Sequence, residues 1–338
     1  MSADRPAVIL TAAGKRTDIV SAFAEHATVI VCDPNPLAPA QYAAHERRVV
    51  PRIDDPGYVP ALEALVEEFG VGAVVPLTDL DIEVLARSDL PAFVPPAEIA
   101  RRTFDKYECH LLLGEHGLPS PPTWLPDEVP ADLDVPVVVK PRAGSGARNI
   151  FHARDRRERE FFVGYIDEDV MVQRAMGGRE HSVDVLCDLD GRCLNAIPRT
   201  MLESRGGESI KGMTFDDPEL VELGRTVAEA LTVRGPATIQ AFRDPEIGLG
   251  ITDVNTRFGG AFCAPMFGGG SYPELICRMA AGERPEPHVG TFQAGRWFTR
   301  YFWQLELEGP VGPDLGPSGP LRPTGRDIVA GAGPPPPR

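Results

Sequence analysis

Residues 137–148 have the sequence VVVKPRAGSGAR. The three valines indicate a buried strand, and Lys140 ends it directly before a loop that contains Gly144 and Gly146. Glycine backbone can approach phosphate oxygens closely, and a lysine beside such a loop supplies positive charge. In a Walker loop the lysine follows the glycines, whereas here it precedes them. The stretch predicts a nucleotide-phosphate clamp of another kind, with a basic surface hairpin as the alternative.

A second stretch, GITDVNTR at residues 250–257, places polar side chains at alternate positions. On a strand, Asp253, Asn255 and Arg257 project from one face. A symmetric hairpin about residues 246–247 would put Gln240 opposite Asp253. Carboxylate and amide oxygens suit hard metal ions, and a guanidinium suits phosphate. This face predicts a metal and phosphate site, with a solvated edge strand as the alternative.

A third stretch, residues 170–185, contains an apolar strand, a short linker and an alternating strand that Glu180 opens. The linker can offer backbone donors and acceptors to the edge of a purine base. Glu180 is placed to accept hydrogen bonds from ribose hydroxyls. Without the other two stretches, ordinary sheet structure would be the preferred interpretation.

The N-terminal region alternates strands and helices. Apolar runs of strand length occur at 7–10, 28–32 and 73–76, with helical stretches at 18–25 and 58–69. This order is typical of a parallel α/β sheet. A nicotinamide-dependent enzyme is one alternative, because Gly14 and Asp33 follow the first two strands. The segment after the first strand, TAAGKR, lacks the three-glycine fingerprint of such enzymes.

The rest of the chain predicts an α+β arrangement. A helix is expected over 97–116, and strand pairs at 180–186 with 192–197 and at 237–242 with 250–254. Asp217, Pro218 and Glu219 begin a further helix. Its predicted apolar face consists of Leu220, Leu223, Val227 and Leu231. The second half should therefore contain antiparallel sheet.

Composition restricts the function further. The 34 Lys and Arg residues against 49 Asp and Glu residues give a net charge of -15, which disfavours binding to nucleic acids or anionic membranes. The six cysteines show no metal-ligand spacing and predict reduced thiols in a cytoplasmic protein. No signal peptide or membrane helix is expected. A homodimer is a general expectation for proteins of this kind, and no feature of the sequence tests it.

The three stretches together resemble the ATP-grasp superfamily, specifically its branch similar to the large subunit of carbamoyl phosphate synthase. The resemblance covers residues 7–300. It implies an N-terminal Rossmann-like pre-ATP-grasp domain (1–95) and an ATP-grasp fold of two α+β subdomains (96–304) with a lid at about 120–172. The Pro/Gly-rich composition of residues 305–338 predicts a disordered tail.

The resemblance also implies roles for individual residues. Lys106 and Lys140 are similar to the two ATP lysines, and Gly144, Ser145 and Gly146 to the phosphate loop. Gln173, Arg174 and Met176 stand where the family binds adenine, and Glu180 where it binds ribose. Gln240, Asp253 and Asn255 match the magnesium ligands, and Arg257 matches the arginine that steadies the transferred phosphoryl group.

The function implied is that of an ATP- and Mg²⁺-dependent ligase, with Mn²⁺ as a substitute metal. Such enzymes convert a small-molecule carboxylate into an acyl phosphate, which an amine or similar nucleophile attacks. Two departures from the family pattern are Asp253 and Gln173, where glutamate is usual. They support an alternative, a catalytically weak regulatory module that binds ATP.

Two further expectations concern less specific features. Residues 198–212 are interpreted as a loop in which Arg199, Arg205 and Lys211 contact the triphosphate or a substrate carboxylate, with a solvated charged loop as the alternative. Near the end, Trp297, Phe302 and Trp303 are expected to cover the core.

Overall fold

The computed structural model describes residues 5–133, 135–144, 146, 148–205 and 208–305, and these form two compact units. The first consists of residues 5–94, 271–285 and 300–305; the second consists of 95–270 and 286–299. In the described residues, no helix is long and apolar enough to cross a membrane.

The first unit contains a parallel sheet that, within the described residues, has four strands in the order β3-β2-β1-β4. Its strands are β1 (Ala7–Thr11), β2 (Thr28–Asp33), β3 (Glu46–Val49) and β4 (Val71–Pro76). Its helices are α1 (Thr17–Ala24), α2 (Tyr58–Phe69), α3 (Ile82–Ala86) and α9 (Tyr272–Ala280), with a short 3₁₀ helix at Pro39–Ala43. The predicted parallel, Rossmann-like architecture is confirmed, although β3 was not predicted.

Helix α9 packs against β1, β4 and α1, although the sequence assigned it to the ATP-grasp domain. The contact with β4 is close, because a Cβ atom at Gly72 would lie 2.3 Å from the carbonyl oxygen of Ala280. Glycine is required at this position for the strand and helix to approach.

The second unit contains two antiparallel sheets. The helices of this unit are α4 (Ala97–Phe104), α5 (Lys106–Glu115), α6 (Arg156–Tyr165), α7 (Pro218–Ala230) and α8 (Cys263–Phe267). The smaller sheet consists of β5 (Thr123–Trp124), β6 (Val137–Pro141), β7 (Phe151–Ala153) and β8 (Val170–Arg174). The larger sheet consists of β9 (Glu180–Cys187), β10 (Cys193–Arg205), β11 (Glu208–Thr214), β12 (Gly235–Asp244), β13 (Gly248–Asn255) and β14 (Trp297–Thr299). The predicted antiparallel second half is therefore confirmed.

The larger sheet is apolar on one face and polar on the other. On β9, Val183 and Val185 belong to a buried core. Helix α7 contributes Leu220 and Val227 to the same core. Successive side chains of a strand point to opposite faces, so Glu180, Ser182 and Asp184 project away from this core. The packing against α7 thus leaves a polar face of the sheet available for a site.

The predicted single helix over 97–116 is divided in two at Asp105. The backbone of Asp105 is extended (φ -86°, ψ 112°), and its carboxylate accepts hydrogen bonds from the N–H groups of Tyr107 and Glu108. Asp105 therefore caps α5 instead of continuing α4. An aspartate followed three residues later by glutamate is a sequence signal for a helix start that could have located this boundary.

The interpretation of residues 198–212 as a loop is wrong. Strand β10 continues to Arg205 and pairs with β11, with Arg199 opposite Thr214. The cations and the glycine-rich backbone suggested a loop, but residues 202–205 are exposed positions of a paired strand. Arg199, in contrast, is buried.

The expectation that the C-terminal aromatic residues cover the core is also wrong. Trp297 and Phe302 are 66% and 76% exposed, and Trp303 is partly exposed. Strand β14 lies at the edge of the larger sheet and directs only Phe298 inward, among its own residues. The tail predicted to be disordered lies, from residue 306 on, outside the described residues.

Candidate active site

A cavity of about 430 Å³ lies in the second unit, between the smaller sheet and the polar face of the larger one. Residues far apart in the sequence meet around it. The predicted site residues among its lining are Lys106, Lys140, Gly144, Gly146, Gln173, Arg174, Met176, Glu180, Arg199, Gln240, Asp253, Asn255 and Arg257. Ser145 lies outside the described residues. Arg205 and Lys211 are not among the lining residues, and Lys211 is bound to Glu203 at 2.5 Å.

Lys140 connects the two sheets. Its Nζ donates to Gln173 Oε1 on β8 at 3.1 Å and to the Thr252 carbonyl oxygen on β13 at 3.3 Å. Burial lowers the pKa of Lys140 to about 8, although the nearby carboxylate of Asp253 opposes this shift. The lysine thus lies in a site where a polyanionic ligand would stabilise its charged form.

Lys106 occupies the first position of α5 because Asp105 caps that helix. Its Nζ donates to the Gly144 carbonyl oxygen at 3.0 Å and lies 3.9 Å from Asp253 Oδ1. Gly144 and Gly146 have positive φ values of 117° and 76°, which favour glycine at these positions of the loop. Lys106 therefore contacts both the glycine loop and Asp253 on β13.

The predicted register of the β12–β13 hairpin is confirmed, with Gln240 directly opposite Asp253. Asn255 Nδ2 donates to Asp253 Oδ2 at 3.2 Å, and Gln240 Nε2 donates to Glu180 Oε1 at 2.6 Å. Burial would raise the pKa of Asp253, but Lys106 and Lys140 outweigh it and lower the pKa. Asp253 is therefore a carboxylate anion beside two amide groups.

These groups fit a magnesium ion. Mg²⁺ is commonly bound through one or two carboxylates together with substrate phosphates, not by an all-protein cage. The set of Gln240, Asp253 and Asn255 supplies one carboxylate and two amide oxygens. Within the described part of the chain, no group of three or more His, Cys, Asp and Glu side chains is arranged to hold a metal ion, so a cation here would also need the phosphates of a nucleotide.

Arg257 lies just beyond β13. One guanidinium nitrogen donates to Asn255 Oδ1 at 3.0 Å, and another donates to the carbonyl oxygen of Phe258 at 3.1 Å. These contacts hold the guanidinium beside Asp253 and Asn255. Its positive charge also contributes to the lowered pKa of Asp253.

The predicted adenine-binding segment follows β8. Gln173 is buried and donates to Thr123 Oγ1 at 2.9 Å, in addition to accepting from Lys140. The Arg174 side chain is bound to Glu246 at 2.7 Å, and Met176 packs so closely on Gly250 that a Cβ there would lie 2.7 Å from Met176 Cε. Burial raises the pKa of Glu180, while its hydrogen bond from Gln240 acts in the opposite direction.

Several residues that line the cavity or contact its lining residues were not found from the sequence. Arg142 forms a bidentate pair with Asp105, and its carbonyl oxygen accepts from the Lys106 N–H at 2.7 Å. Ser182 and Asp184 alternate with core valines on β9, a pattern that could have placed both on the polar face. Gly259 and Gly260 line the cavity as well, and no sequence spacing indicated them.

Comparisons with known proteins agree with this architecture. The family of PylC-like N-terminal domains matches residues 8–91, and the family described as ATP-grasp in the biosynthetic pathway with Ter operon matches residues 167–297. No curated protein matched the sequence.

Solved structures with the same fold share little sequence identity with this chain. The biotin carboxylase domain of Hydrogenobacter thermophilus 2-oxoglutarate carboxylase, in complex with MgADP, is 19% identical, with a TM-score of 0.67 and coverage of 86% of this chain and 73% of that one. L-amino acid ligase from Bacillus licheniformis is 17% identical, with a TM-score of 0.65 and coverage of 88% and 79%. N5-carboxyaminoimidazole synthetase from Staphylococcus aureus, complexed with ADP, is 14% identical, with a TM-score of 0.68 and coverage of 87% and 81%.

The two family matches cover the first unit and much of the second, and the solved structures share the fold of both. Residues 167–297 are similar to ATP-grasp proteins, and the chain has the fold of these solved structures.

Proposed function

We propose that the protein uses ATP to convert a small-molecule carboxylate into an acyl phosphate, which an amine then captures with release of phosphate. The observation that supports this most strongly is the convergence of Lys106, Lys140, Asp253, Asn255 and Arg257 around one cavity. Two anions must approach each other in this reaction, so the protein has to position them and neutralise charge. The cations and the single carboxylate match those requirements.

In this proposal the two lysines bind the polyphosphate. Lys140 is fixed by Gln173 and by the Thr252 carbonyl oxygen, so its position does not depend on the ligand. Lys106 holds the Gly144 carbonyl oxygen, and a phosphate that attracts Lys106 would also draw the glycine loop over the cavity. Closure of that loop would exclude water, which would otherwise hydrolyse an acyl phosphate.

Asp253, Asn255 and Gln240 would hold Mg²⁺ or Mn²⁺ together with the nucleotide phosphates. The bound metal supplies further neutralisation of phosphate charge. Arg257, held by Asn255 and Phe258, is placed to steady the transferred phosphoryl group. Two of the similar structures were determined with ADP, one of them with magnesium, which supports a nucleotide and metal here.

The acid substrate is proposed to be an amino acid or small peptide. One similar structure is an L-amino acid ligase, which acts on that class by its name. Two others are named for a carboxylase and for a carboxyaminoimidazole synthetase, so the fold by itself does not determine the substrate.

The test is an ADP-release screen of amino and keto acids with MgATP. Hydroxylamine serves as a general nucleophile, because it converts an acyl phosphate into a hydroxamate that can be measured. We expect ADP release and hydroxamate formation that both require one class of acid. If no acid stimulates ADP release, the proposed ligase activity is wrong.

The replacements at Gln173 and Asp253 favour a second candidate, a regulatory module that binds ATP without turnover. Gln173 accepts a hydrogen bond from Lys140 but, unlike glutamate, brings no charge to balance the lysine. Calorimetric titration with MgATP separates the two candidates. Tight nucleotide binding without ADP formation in the same screen would support the module.

A further inference from the structure

Arg199 lies on β10 in the wall of the cavity, and its side chain is only 5% exposed. Its Nε donates to Asp184 Oδ2 at 2.6 Å. The other oxygen of Asp184 accepts from Thr238 Oγ1, also at 2.6 Å. The three side chains come from three adjacent strands, so the sheet fixes their relative positions.

Within the described part of the chain, most N–H groups of the guanidinium have no protein partner. An arginine side chain carries five N–H donors. Among the residues that the structure describes, Asp184 is the one hydrogen-bonding partner of Arg199. Arg199 lines the cavity, and its remaining nitrogens are not among the sealed, unpartnered atoms of the described residues, so these donors are accessible to a ligand in the cavity.

The loop after β13 holds Arg199 in place from the other side. A Cβ atom at Gly259 would lie 2.5 Å from Thr238 Oγ1 and 3.1 Å from Arg199 Nη2. It would also lie 3.1 Å from Asp184 Oδ1. Glycine at this position therefore allows the loop to pack directly on the ion pair, and any larger residue would displace it.

An ion pair with a purely structural role would be expected to satisfy more of its donors. Replacing a buried ion pair by apolar residues is often neutral or stabilising, so stability alone does not account for the pair. Arginine recognises oxyanions through two parallel N–H donors, and Asp184 occupies one edge of the guanidinium while leaving other donors open.

We propose that Arg199 binds an oxyanion of the reacting substrates and that Asp184, supported by Thr238 and Gly259, is its positioning residue. The oxyanion is either the carboxylate of the acid substrate or the γ-phosphate of ATP. This inference rests on the proposed function for the identity of the ligand. The binding site itself can be tested without turnover.

The test is calorimetric titration of inorganic phosphate into the full-length protein, saturated with MgADP. We expect Arg199→Met to weaken phosphate binding about 10-fold or more, the size of a lost charge-assisted contact, and Arg199→Lys to weaken it less. Arg225→Met is the matched control, because Arg225 pairs with Glu222 and Glu229 on the exposed face of α7. It should bind phosphate as the wild type does.

Asp184→Asn tests the positioning role. We expect it to weaken phosphate binding several-fold alone and to add nothing to Arg199→Met in the double variant. A merely structural residue would give an additive loss instead. The double variant also avoids an unpaired buried carboxylate, so it remains informative if Arg199→Met alone does not fold.

A comparison of nucleotides identifies the source of the oxyanion. If Arg199→Met weakens a non-hydrolysable ATP analogue more than ADP, the ligand is the γ-phosphate. If both nucleotides bind as in the wild type and only phosphate binding is lost, the ligand is the substrate carboxylate.

Two results would overturn the inference: undetectable phosphate binding to the wild type, or equal phosphate binding by Arg199→Met and the wild type. Failure of the proposed function gives a different result. If MgADP does not bind, the ligase proposal fails, and phosphate is then titrated into the nucleotide-free protein to test Arg199 separately.

Discussion

Lys140 shows how one residue depends on its surroundings. A lysine in water has a pKa near 10.5, and burial here lowers the pKa to about 8. Gln173 is neutral and Thr252 contributes a carbonyl oxygen, so neither direct partner carries a compensating charge. A bound polyphosphate would supply that charge. The charged form of Lys140 would therefore be stabilised mainly by the ligand.

The variant Lys140→Met tests this role. It removes the charge but keeps the length of the side chain, and we expect nucleotide affinity to fall about 10-fold or more. Lys15→Met is the matched control in the first unit and should bind MgADP as the wild type does. Calorimetric titration measures both, and an unchanged affinity of Lys140→Met would remove this lysine from the nucleotide site.

The start of α5 determines where Lys106 is placed. Asp105 accepts hydrogen bonds from two N–H groups of that helix and from Arg142 on the glycine loop segment. The Lys106 N–H also donates to the carbonyl oxygen of Arg142. A single carboxylate therefore caps a helix and attaches it to the loop.

We expect Asp105→Ala to lower the free energy of unfolding by about 2 kcal/mol, with about 1 kcal/mol from the lost cap and the rest from the lost pair with Arg142. Nucleotide affinity should fall as well, because Lys106 loses its fixed position. Urea denaturation and MgADP titration measure the two effects.

Asp155→Ala is the control for a cap without a role in the site. Asp155 caps α6 through the Glu158 N–H. Its loss should lower stability by about 1 kcal/mol and leave MgADP affinity unchanged. If both cap variants affect MgADP binding equally, the proposed link between Asp105 and Lys106 is wrong.

For the whole molecule, stability should depend on pH through Asp81 in the first unit. Asp81 is fully buried, and its Oδ2 accepts from Thr11 Oγ1 at 2.6 Å and from the Tyr58 hydroxyl at 2.8 Å. Burial raises the pKa of Asp81 from 3.8 to about 6, although both hydrogen bonds oppose the shift. The folded state therefore binds a proton more tightly than the unfolded state does.

The sign of the effect follows from the raised pKa. The contribution of protonated Asp81 to stability is fully present below about pH 4 and is lost as pH rises through about 6. A shift of about 2 pH units corresponds to roughly 3 kcal/mol. We expect Asp81→Asn to gain up to that amount over the wild type between pH 4 and pH 8.

Calorimetric unfolding of both proteins across this pH range measures the difference in their free energies of unfolding. The contributions of the other titrating groups largely cancel in this difference. A constant offset between them is expected, because an asparagine introduces a new buried N–H₂ group. The raised pKa of Asp81 is tested only by how this difference in unfolding free energy changes with pH. A difference that stays constant from pH 4 to pH 8 would contradict the prediction.

Elements with local signals could be predicted from the sequence. The parallel first unit followed from apolar runs separated by amphipathic stretches, and the register of Gln240 opposite Asp253 followed from the symmetry of a short hairpin. The helix that begins after Asp217 followed from its cap, its proline and its apolar face. Each of these depends on residues close together in the chain.

Contacts between distant side chains became known only from the folded structure. Lys140 reaches the carbonyl oxygen of Thr252 across 112 positions, and no local pattern encodes that contact. Arg199 was expected to lie in a loop, but it lies on a strand, where Asp184 and Thr238 on neighbouring strands make its burial possible. Burial of a charge depends on partners that only the pairing of strands brings near, and for this reason the sequence could name many residues of the site but not their contacts.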